Sequence, residues 1–589
     1  MNSTLIQLIR EAKDSQKDLL CILVITLVTL LCFANSLSGE FIFDDYIAVV
    51  EHPTVKYLSN IPKLFLQGYF GDDSSAGLYR PLTSLSFAIN FAISGQNPTS
   101  YHLLSIFIHI INSGLIYVLT YFYSRQRFLA LMSALFFAIH PVHSEAVSAI
   151  YGRPELLATM FLLVAWLTYQ QSNKNNLYYV VSLVSYFLSL LCKESGIVLI
   201  GILFLVQICQ TDSLGGCNDW KEKLTPSKRL LGYILVTLPY LLIRVWVTKA
   251  FGIPKAGQFF GNETFLTRLY TMSLGYVEYF KLLVWPAKLY TEYNYSVIPK
   301  ATTLDLSVAL SLLLITLIVI LGIWQIKKNP LIAFAILFFF VTTSIVSNIF
   351  ISTGILIAER TIYLPVASIC LLLAVVLYQT YIKGWEKVAI VSFIAILSLG
   401  IIRTYIRNFD FYSNFTFFSS IIKLAPNHPK GNYGLGLYYE DNKEFDKAEL
   451  YFKKALELSP NSALIHVIIG NLYNKQGRSD MAMAMFKKAI SLDGNNADAH
   501  SFYGAGLLAQ GNLCEAKVHL KKAISLNKNL AKAHNNLGIV YAELNMYLEA
   551  TSEFETAINL DPEYFQAKEN LKLLKEKPSS KAKPINCPE

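Results

Sequence analysis

A 34-residue repeat in the C-terminal third constrains the fold of this chain more than any other feature. Glycine recurs there in steps of 34, and alanine does so at two further positions. The repeated residues are Gly436, Gly470, Gly504 and Gly538, then Ala448, Ala482, Ala516 and Ala550, then Ala455, Ala489, Ala523 and Ala557. Small residues are needed where two helices pack closely, and bulky residues between them fill the remaining space. The period therefore predicts stacked helix pairs that share a continuous core.

The length of the period and the residues that recur are typical of tetratricopeptide repeats. The sequence predicts four of them, at 429–462, 463–496, 497–530 and 531–564, then a capping helix at 565–576 and a disordered tail at 577–589. Stacked repeats of this kind form a concave surface that suits an extended polypeptide. We expect Asn471, Asn474 and Asn535 to face it and bind the polypeptide backbone; simple solvation of these amides is the alternative.

Long apolar segments make up the chain before the repeats. Charged residues are 15% of the whole chain, against about 25% in soluble domains, and about 20 apolar residues suffice to cross a membrane. We predict a membrane domain over 1–407 and a linker over 408–428. The domain has about eleven spans: Leu19–Leu37, Tyr101–Tyr123, Phe128–Val147, Glu155–Gln170, Tyr178–Leu191, Gly196–Gln210, Leu230–Val247, Leu304–Ile326, Leu331–Phe350, Ile362–Tyr381 and Val388–Thr404.

Lysine and arginine in short loops mark the cytoplasmic side of a membrane. The N-terminus and the loops 124–127, 171–176, 221–229, 327–329 and 383–387 fit that side. The N-terminus is then cytoplasmic and the C-terminus exoplasmic, provided that Leu269–Trp285 is re-entrant or lies at the interface. The repeats would face the periplasm from a bacterial inner membrane, or the ER lumen in a eukaryote.

Two classes of ligand find little support in the sequence. The net charge of +9 does not indicate nucleic-acid binding, because the basic residues are scattered and form no stripe. The eight cysteines match no zinc spacing, and we assign no metal ligands, although a divalent metal stays open.

An acidic pair opens the first predicted exoplasmic loop. One of Asp44 and Asp45 could act as a general base that takes the proton from an attacking hydroxyl. Adjacent acids also move each other's pKa values apart, which can leave one ready for proton transfer. A helix cap or a solvated turn is the alternative.

Basic residues and histidines collect at the same ends of the predicted spans. Arginine suits phosphate because its planar guanidinium makes two parallel contacts, although basic side chains near span ends also extend toward the interface without a ligand. His140 and His143 could bind a metal or a sugar, or serve the structure. The basic residues are Arg80, Arg153, Lys193 and Arg360. Their convergence with the acidic pair suggests a common site.

Six short strings in this order make the sequence recognisable: FDD at 43–45, YRPLT at 79–83, HPVHSEAV at 140–147, GRPELL at 152–157, CKESG at 192–196 and ERTIYLP at 359–365. With the repeats that follow, they resemble the transmembrane and TPR repeat-containing proteins. That family belongs to the GT-C glycosyltransferases and is similar to protein O-mannosyltransferases. With four repeats, the chain resembles the shorter bacterial-type members more than the animal ones.

The resemblance implies an all-α protein, with a polytopic GT-C membrane domain followed by an α-solenoid. It implies inverting transfer of mannose or another hexose from a polyprenyl- or dolichyl-phosphate donor to protein Ser/Thr hydroxyls on the exoplasmic face, with the repeats holding the acceptor. Asp44 and Asp45 would be catalytic. The donor phosphate and sugar would be bound by Arg80, Arg153, Lys193, Arg360, His143, Glu145, Glu194 and Glu359. A membrane-anchored scaffold without catalysis, or a GT-C enzyme with a glycan or lipid acceptor, is the alternative.

Overall fold

The apolar segments and the repeats both fold as α-helices, which confirms the predicted fold class. The computed structural model describes residues 2–71, 77–209, 225–249, 260, 263–295, 297–576, 585 and 587. Contacts within the chain divide it into two compact units, Met1–Ala425 and Pro426–Glu589. Part of the predicted cytoplasmic loop 221–229 and most of the predicted tail 577–589 lie outside the described residues.

The described part of the first unit contains sixteen α-helices. They are α1 Asn2–Phe33, α2 Ile61–Leu64, α3 Pro81–Ser94, α4 Pro98–Ser124, α5 Arg127–Ala138, α6 His143–Ser148, α7 Arg153–Gln170, α8 Asn176–Cys192, α9 Leu199–Cys209, α10 Leu230–Thr248, α11 Phe265–Val284, α12 Leu306–Gln325, α13 Pro330–Thr343, α14 Ala367–Ile382, α15 Glu386–Asn408 and α16 Asn414–Leu424.

Among the described residues, six helical segments are long and apolar enough to cross a membrane: Ser15–Ser38, Pro98–Ser124, Ile150–Gln170, Leu230–Thr248, Leu306–Gln325 and Glu386–Phe411. They correspond to six of the eleven predicted spans. The surfaces of α12 and α15 are mainly apolar and exposed, since the unit buries 17% and 11% of these two segments. Such faces are suited to contact with lipid hydrocarbon.

The other five predicted spans correspond to shorter apolar helices, of 10–17 residues. Each gives way to irregular backbone next to one of the six strings or its connecting loop. The predicted span Phe128–Val147, for example, breaks into α5 and α6 at His140-Pro141, because proline cannot continue the helical hydrogen bonding. The string-bearing ends of these helices are therefore irregular, and they are packed against protein rather than left as free loops.

Two further helices were not predicted as spans. α3 is a short apolar helix that begins directly after Arg80, with Pro81 in its first turn. α11 covers most of the ambiguous segment Leu269–Trp285 and buries Met272, Tyr279 and Leu282 in the core of the unit.

The segment 408–428, which we predicted to be a linker, is largely folded. α16 begins with a reciprocal capping box between Ser413 and Thr416, an arrangement that satisfies two backbone donors at a helix start. Phe417 of α16 stacks on Phe43 at 5.5 Å between ring centroids. The first unit accordingly continues to Ala425 rather than ending at residue 407.

The described part of the second unit contains four helix pairs and a helix that follows them. They are α17 Pro429–Asp441, α18 Phe445–Leu458, α19 Ala463–Lys475, α20 Ser479–Leu492, α21 Ala497–Ala509, α22 Leu513–Leu526, α23 Ala531–Glu543, α24 Tyr547–Leu560 and α25 Phe565–Glu576. The repeated glycines lie against the repeated bulky residues: a Cβ at Gly470 would come within 2.5 Å of the Phe486 ring. This contact is the physical reason for the period.

The end of the chain is joined to the repeats by a disulfide that the cysteine spacing did not predict. Cys514 at the start of α22 is bonded to Cys587. The backbone N–H of Ile585 donates a hydrogen bond to the carbonyl of Leu544 at 2.9 Å, and Cys587 packs against the core of the repeats. Among the described residues of the first unit, Cys21, Cys32, Cys192 and Cys370 are free thiols.

Candidate active site

The two acids of the FDD string have different environments. Asp45 is fully buried, and its two carboxyl oxygens accept hydrogen bonds from the backbone N–H groups of Ile42 at 3.0 Å and Tyr151 at 2.6 Å. Burial raises the pKa of Asp45 to about 8; the charge of Asp44 adds to the rise, while the two hydrogen bonds and the charge of Arg153 oppose it. Asp45 therefore joins the first loop to the turn that precedes α7.

Asp44 is partly exposed and follows a residue in a strained conformation. Phe43 has a φ of +44°, in the left-handed region that non-glycine residues seldom adopt. The strain is maintained by surrounding contacts, since the Phe43 N–H donates to Asn414 Oδ1 at 2.9 Å and its ring stacks on Phe417. Strain of this kind often occurs at functional sites, where it fixes the orientation of a neighbouring group. Here that group is the Asp44 carboxylate.

Arg360 is fixed by Glu145 and lies within range of the charge of Asp44. The Arg360 guanidinium forms an ion pair with the buried Glu145, and its backbone N–H donates to Glu145 Oε2 at 2.8 Å. The Arg360 side chain keeps 24% exposure and lies over the ring of Tyr151 at 5.3 Å. Asp44 is close enough for its charge to act on both Arg360 and Tyr151.

A second basic group surrounds Arg80. Its guanidinium donates two hydrogen bonds to Glu194, at 2.8 and 3.3 Å, and its side chain is 13% exposed. The neighbouring Lys193 forms an ion pair with Glu155 and is almost completely buried. Thr83 at the start of α3 donates to the carbonyl of Cys192 at 3.1 Å, which brings the YRPLT and CKESG strings together. The predicted acids Glu145 and Glu194 thus serve as partners of predicted phosphate-binding arginines.

Arg153 differs from the other predicted phosphate-binding residues. It is fully buried and lies over the ring of Phe87 at 4.6 Å. Its guanidinium donates to Asn90 Oδ1 at 2.9 Å and to the carbonyl of Tyr101 at 3.0 Å. Because protein atoms enclose the guanidinium, Arg153 joins α3, α4 and α7 and presents no surface to a phosphate.

His143 is likewise enclosed. It is fully buried and packs against Phe137 and Tyr363, each at 4.5 Å between ring centroids. His140 donates from its Nε2–H to the carbonyl of Leu283 at 3.2 Å, and its Nδ1 accepts from the backbone N–H of Val142 at 3.4 Å. The two histidines occupy an aromatic core and do not converge on a ligand; among the described residues, no group of three metal-binding side chains occurs.

Glu359 belongs to a buried network whose other members the sequence did not single out. It accepts hydrogen bonds from both Tyr293, at 3.2 Å, and Arg407, at 3.1 Å. Arg407 also pairs with Asp410 at 2.6 Å. Burial raises the pKa of Glu359 to about 8, against the charge of Arg407. The network joins the ERTIYLP string to α15 and to the segment after α11, and Glu359 is fully buried within it.

The three asparagines predicted to bind the acceptor do not share one environment. Asn474 is exposed and Asn471 is partly exposed, as the prediction requires. Asn535 is 4% exposed, because the terminal helix α25 covers it and Asn570 donates to its Oδ1 at 2.9 Å. Asn535 is therefore bonded to the terminal helix and is not open to a polypeptide as the prediction requires.

Comparison with known proteins agrees with the resemblance inferred from the sequence. Models described as tetratricopeptide repeat match residues 429–462, 463–496 and 531–564, and one described as TPR repeat matches 504–545. The four predicted repeats are thus tetratricopeptide repeats. Among solved structures, the crystal structure of MamA protein covers 25% of this chain and 81% of its own, at 26% identity and a TM-score of 0.23.

The relatives of this chain include proteins named protein O-mannosyl-transferase. TMTC3 from Mus musculus is 28% identical over 466 residues, which cover 72% of this chain and 50% of the relative. TMTC3 from Homo sapiens is 28% identical over 467 residues, with the same coverage. F38B6.6 from Caenorhabditis elegans is 28% identical over 440 residues, which cover 73% of this chain and 61% of the relative. The chain thus spans about half to three-fifths of the length of these relatives. Its candidate membrane spans, taken with these relatives, make it a multi-pass membrane protein.

Proposed function

We propose that this multi-pass membrane protein is a protein O-glycosyltransferase that transfers a hexose, mannose first among the candidates, from a polyprenyl- or dolichyl-phosphate donor to Ser or Thr hydroxyls. The names of its relatives support the reaction class and mannose as the sugar. The observation that carries the proposal is the placement of Asp44. Its partly exposed carboxylate follows the strained Phe43 and lies within range of the fixed Arg360 guanidinium, whereas the adjacent Asp45 is buried and bonded to two backbone N–H groups.

Asp44 would act as the general base. Its carboxylate takes the proton of the acceptor hydroxyl as the hydroxyl oxygen attacks the anomeric carbon of the donor. The bond between that carbon and the phosphate oxygen breaks, and the lipid phosphate leaves with the electron pair. Attack from the face opposite the leaving group inverts the anomeric configuration. Asp44 then releases its proton to water. Arg360, held by Glu145, would orient the carboxylate.

The reaction would take place on the exoplasmic side, where the repeats would hold the polypeptide acceptor. The Cys514–Cys587 disulfide supports this side for the repeats, because disulfides persist in the ER lumen and the periplasm and are rare in reducing compartments. The exposed Asn474 and the partly exposed Asn471 are the candidates for acceptor contact.

Reconstituted full-length protein tests the proposal. It is incubated with a labelled polyprenyl-phosphate mannose and a Ser/Thr-rich unfolded polypeptide, and the product is analysed by mass spectrometry for O-linked hexose. We expect hexose on Ser or Thr that depends on both donor and protein. If the donor is consumed and the label appears in lipid or glycan but not in the polypeptide, the proposal that the acceptor is a protein is contradicted. A folded protein that leaves the donor untouched contradicts the enzyme assignment.

A further inference from the structure

Two buried tyrosine hydroxyls near Arg80 have no hydrogen-bond partner among the described residues. Tyr69 is 5% exposed and Tyr240 is 2% exposed, and no described residue donates to or accepts from either hydroxyl. Nearly all buried polar side-chain atoms in folded proteins are paired, because an unpaired one loses its hydration without compensation. Two such hydroxyls near one partly exposed cation indicate a place where a ligand supplies the missing partner.

Both hydroxyls lie around the same guanidinium. The Arg80 guanidinium carbon lies 5.4 Å from the centre of the Tyr69 ring, and the charge of Arg80 acts on the phenols of both Tyr69 and Tyr240. Tyr79, the residue before Arg80, packs against Tyr240 at 6.4 Å between ring centroids. Because the Arg80 side chain is 13% exposed, a ligand can reach it without unfolding the wall around it.

Arg244 adds a further positive charge to this group. It is a half-buried residue of the apolar helix α10, and its Nη2 donates to the carbonyl of Gly77 at 3.2 Å. Its charge acts on Glu194 and on Tyr240. An ionisable side chain in an apolar membrane helix is costly and usually serves a function.

The balance of charge separates this group from the one at Arg360. Among the described residues near Arg80, the three cations Arg80, Lys193 and Arg244 face the two carboxylates Glu155 and Glu194, so one positive charge is in excess. Arg360, by contrast, is shared between Glu145 and Asp44, so negative charge is in excess there. An anionic ligand is therefore attracted to the Arg80 group and repelled from the Arg360 group.

We propose that Tyr69 and Tyr240, together with Arg80 and Arg244, bind the phosphate of the lipid-linked sugar donor. The inference rests on the proposed function, since it concerns the donor of that reaction. The tyrosine hydroxyls donate to phosphate oxygens, and the two guanidinium groups supply charge. The charges of both Asp44 and Arg80 act on Tyr69, so Tyr69 is near the proposed base as well as the proposed phosphate site. In this proposal the sugar of the donor lies toward Asp44.

Binding of a sugar-free lipid phosphate tests the inference. The full chain is reconstituted in phosphatidylcholine nanodiscs, and the Kd of a fluorescent polyprenyl monophosphate is measured for wild type, Tyr69→Phe and Tyr240→Phe. Each variant loses one hydroxyl that bonds none of the described residues, so we expect an unfolding midpoint equal to or above that of wild type. Loss of a hydrogen bond to a charged phosphate should raise the Kd about tenfold or more. Arg244→Gln should also weaken binding.

Tyr186→Phe is the matched control. Its hydroxyl bonds Thr237 at 2.7 Å, one helical turn before Tyr240, so the variant should bind the lipid phosphate as wild type does. Wild-type binding by both Tyr69→Phe and Tyr240→Phe overturns the inference. So does inorganic phosphate that competes at the same concentration as the lipid phosphate, because the ligand is then free phosphate. Binding is measured without transfer, so failure of the proposed reaction and failure of this site are separate results.

Discussion

Gly152 offers the sharpest test of how the candidate site is built. It follows Tyr151, whose N–H bonds Asp45, and it packs against α6, which carries Glu145. A Cβ at Gly152 would lie 2.6 Å from both the Cα and the carbonyl oxygen of Ala146. These are backbone atoms, so no side chain can rotate away to relieve the contact. Gly152→Ala must therefore move the turn or α6.

The size of the effect follows from the distances. Ordinary van der Waals contact begins at 3.4 Å, so the two backbones must separate by about 0.8 Å, a strain of the kind that costs about 1–3 kcal/mol in packed cores. A similar lengthening of the 2.6 Å Tyr151–Asp45 hydrogen bond takes it past the normal limit of about 3.2 Å and removes about 1 kcal/mol. We expect a total loss of about 2–4 kcal/mol in the free energy of unfolding.

Equilibrium unfolding in lipid bicelles measures that loss, with Gly114→Ala as the control. A Cβ at Gly114 in α4 would have only the tip of Ile22 nearby, at 3.5 Å, and alanine is favoured over glycine inside a helix by about 0.5–1 kcal/mol. Gly114→Ala should therefore be neutral or stabilising. If Gly152→Ala unfolds with the same free energy as Gly114→Ala, the close packing of the turn on α6 is refuted.

Three further outcomes are expected. Glu145→Gln removes the charged partner of Arg360 and should lower the free energy of unfolding in bicelles by about 1–3 kcal/mol. A free energy equal to that of wild type contradicts the pairing of Glu145 with Arg360. The pKa of Asp45 is about 8 in the folded protein and about 3.9 in the unfolded chain, so between these pH values the folded state binds one proton more. The contribution of Asp45 to the free energy of unfolding should therefore fall by about 1.4 kcal/mol per pH unit as the pH rises from 5 to 8. An identical pH dependence of stability in Asp45→Asn argues against that origin. In the repeats, a Cβ at Gly470 would meet the Phe486 ring at 2.5 Å, whereas the nearest atom to a Cβ at Gly494 is at 3.9 Å. Gly470→Ala should therefore unfold at a lower midpoint than Gly494→Ala. Equal midpoints contradict the close packing of Gly470 on Phe486.

The sequence predicted the repeats well because a fixed period places the same small and bulky residues at the same contact four times. It also identified the strings that form the candidate site, since charged residues at the ends of apolar segments stand out. The break between α5 and α6 was visible in Pro141. These features depend on residues close in sequence, where periodicity and proline geometry apply directly.

Pairing across long separations was not visible. Glu194 partners Arg80 across 114 positions, and Glu145 partners Arg360 across 215, so sequence reasoning placed both acids on the ligand. Asp44 and Asp45 look equivalent as adjacent letters, and their different roles arise from the left-handed turn at Phe43. Tyr69, Tyr240 and Arg244 had no local pattern that marked them, although a charge inside an apolar segment could have drawn attention to Arg244.

The central claim is that Asp44 is the base and Asp45 is structural, and sugar transfer by Asp44→Asn and Asp45→Asn tests it most directly. Both variants are assayed as purified full chains with the labelled donor, alongside their unfolding midpoints. We expect Asp44→Asn to keep the wild-type midpoint and lose transfer by about 100-fold or more. We expect Asp45→Asn to lower the midpoint, because an amide N–H then faces a backbone N–H, with any loss of transfer following the loss of folded protein. Transfer at the wild-type rate by folded Asp44→Asn would contradict the account.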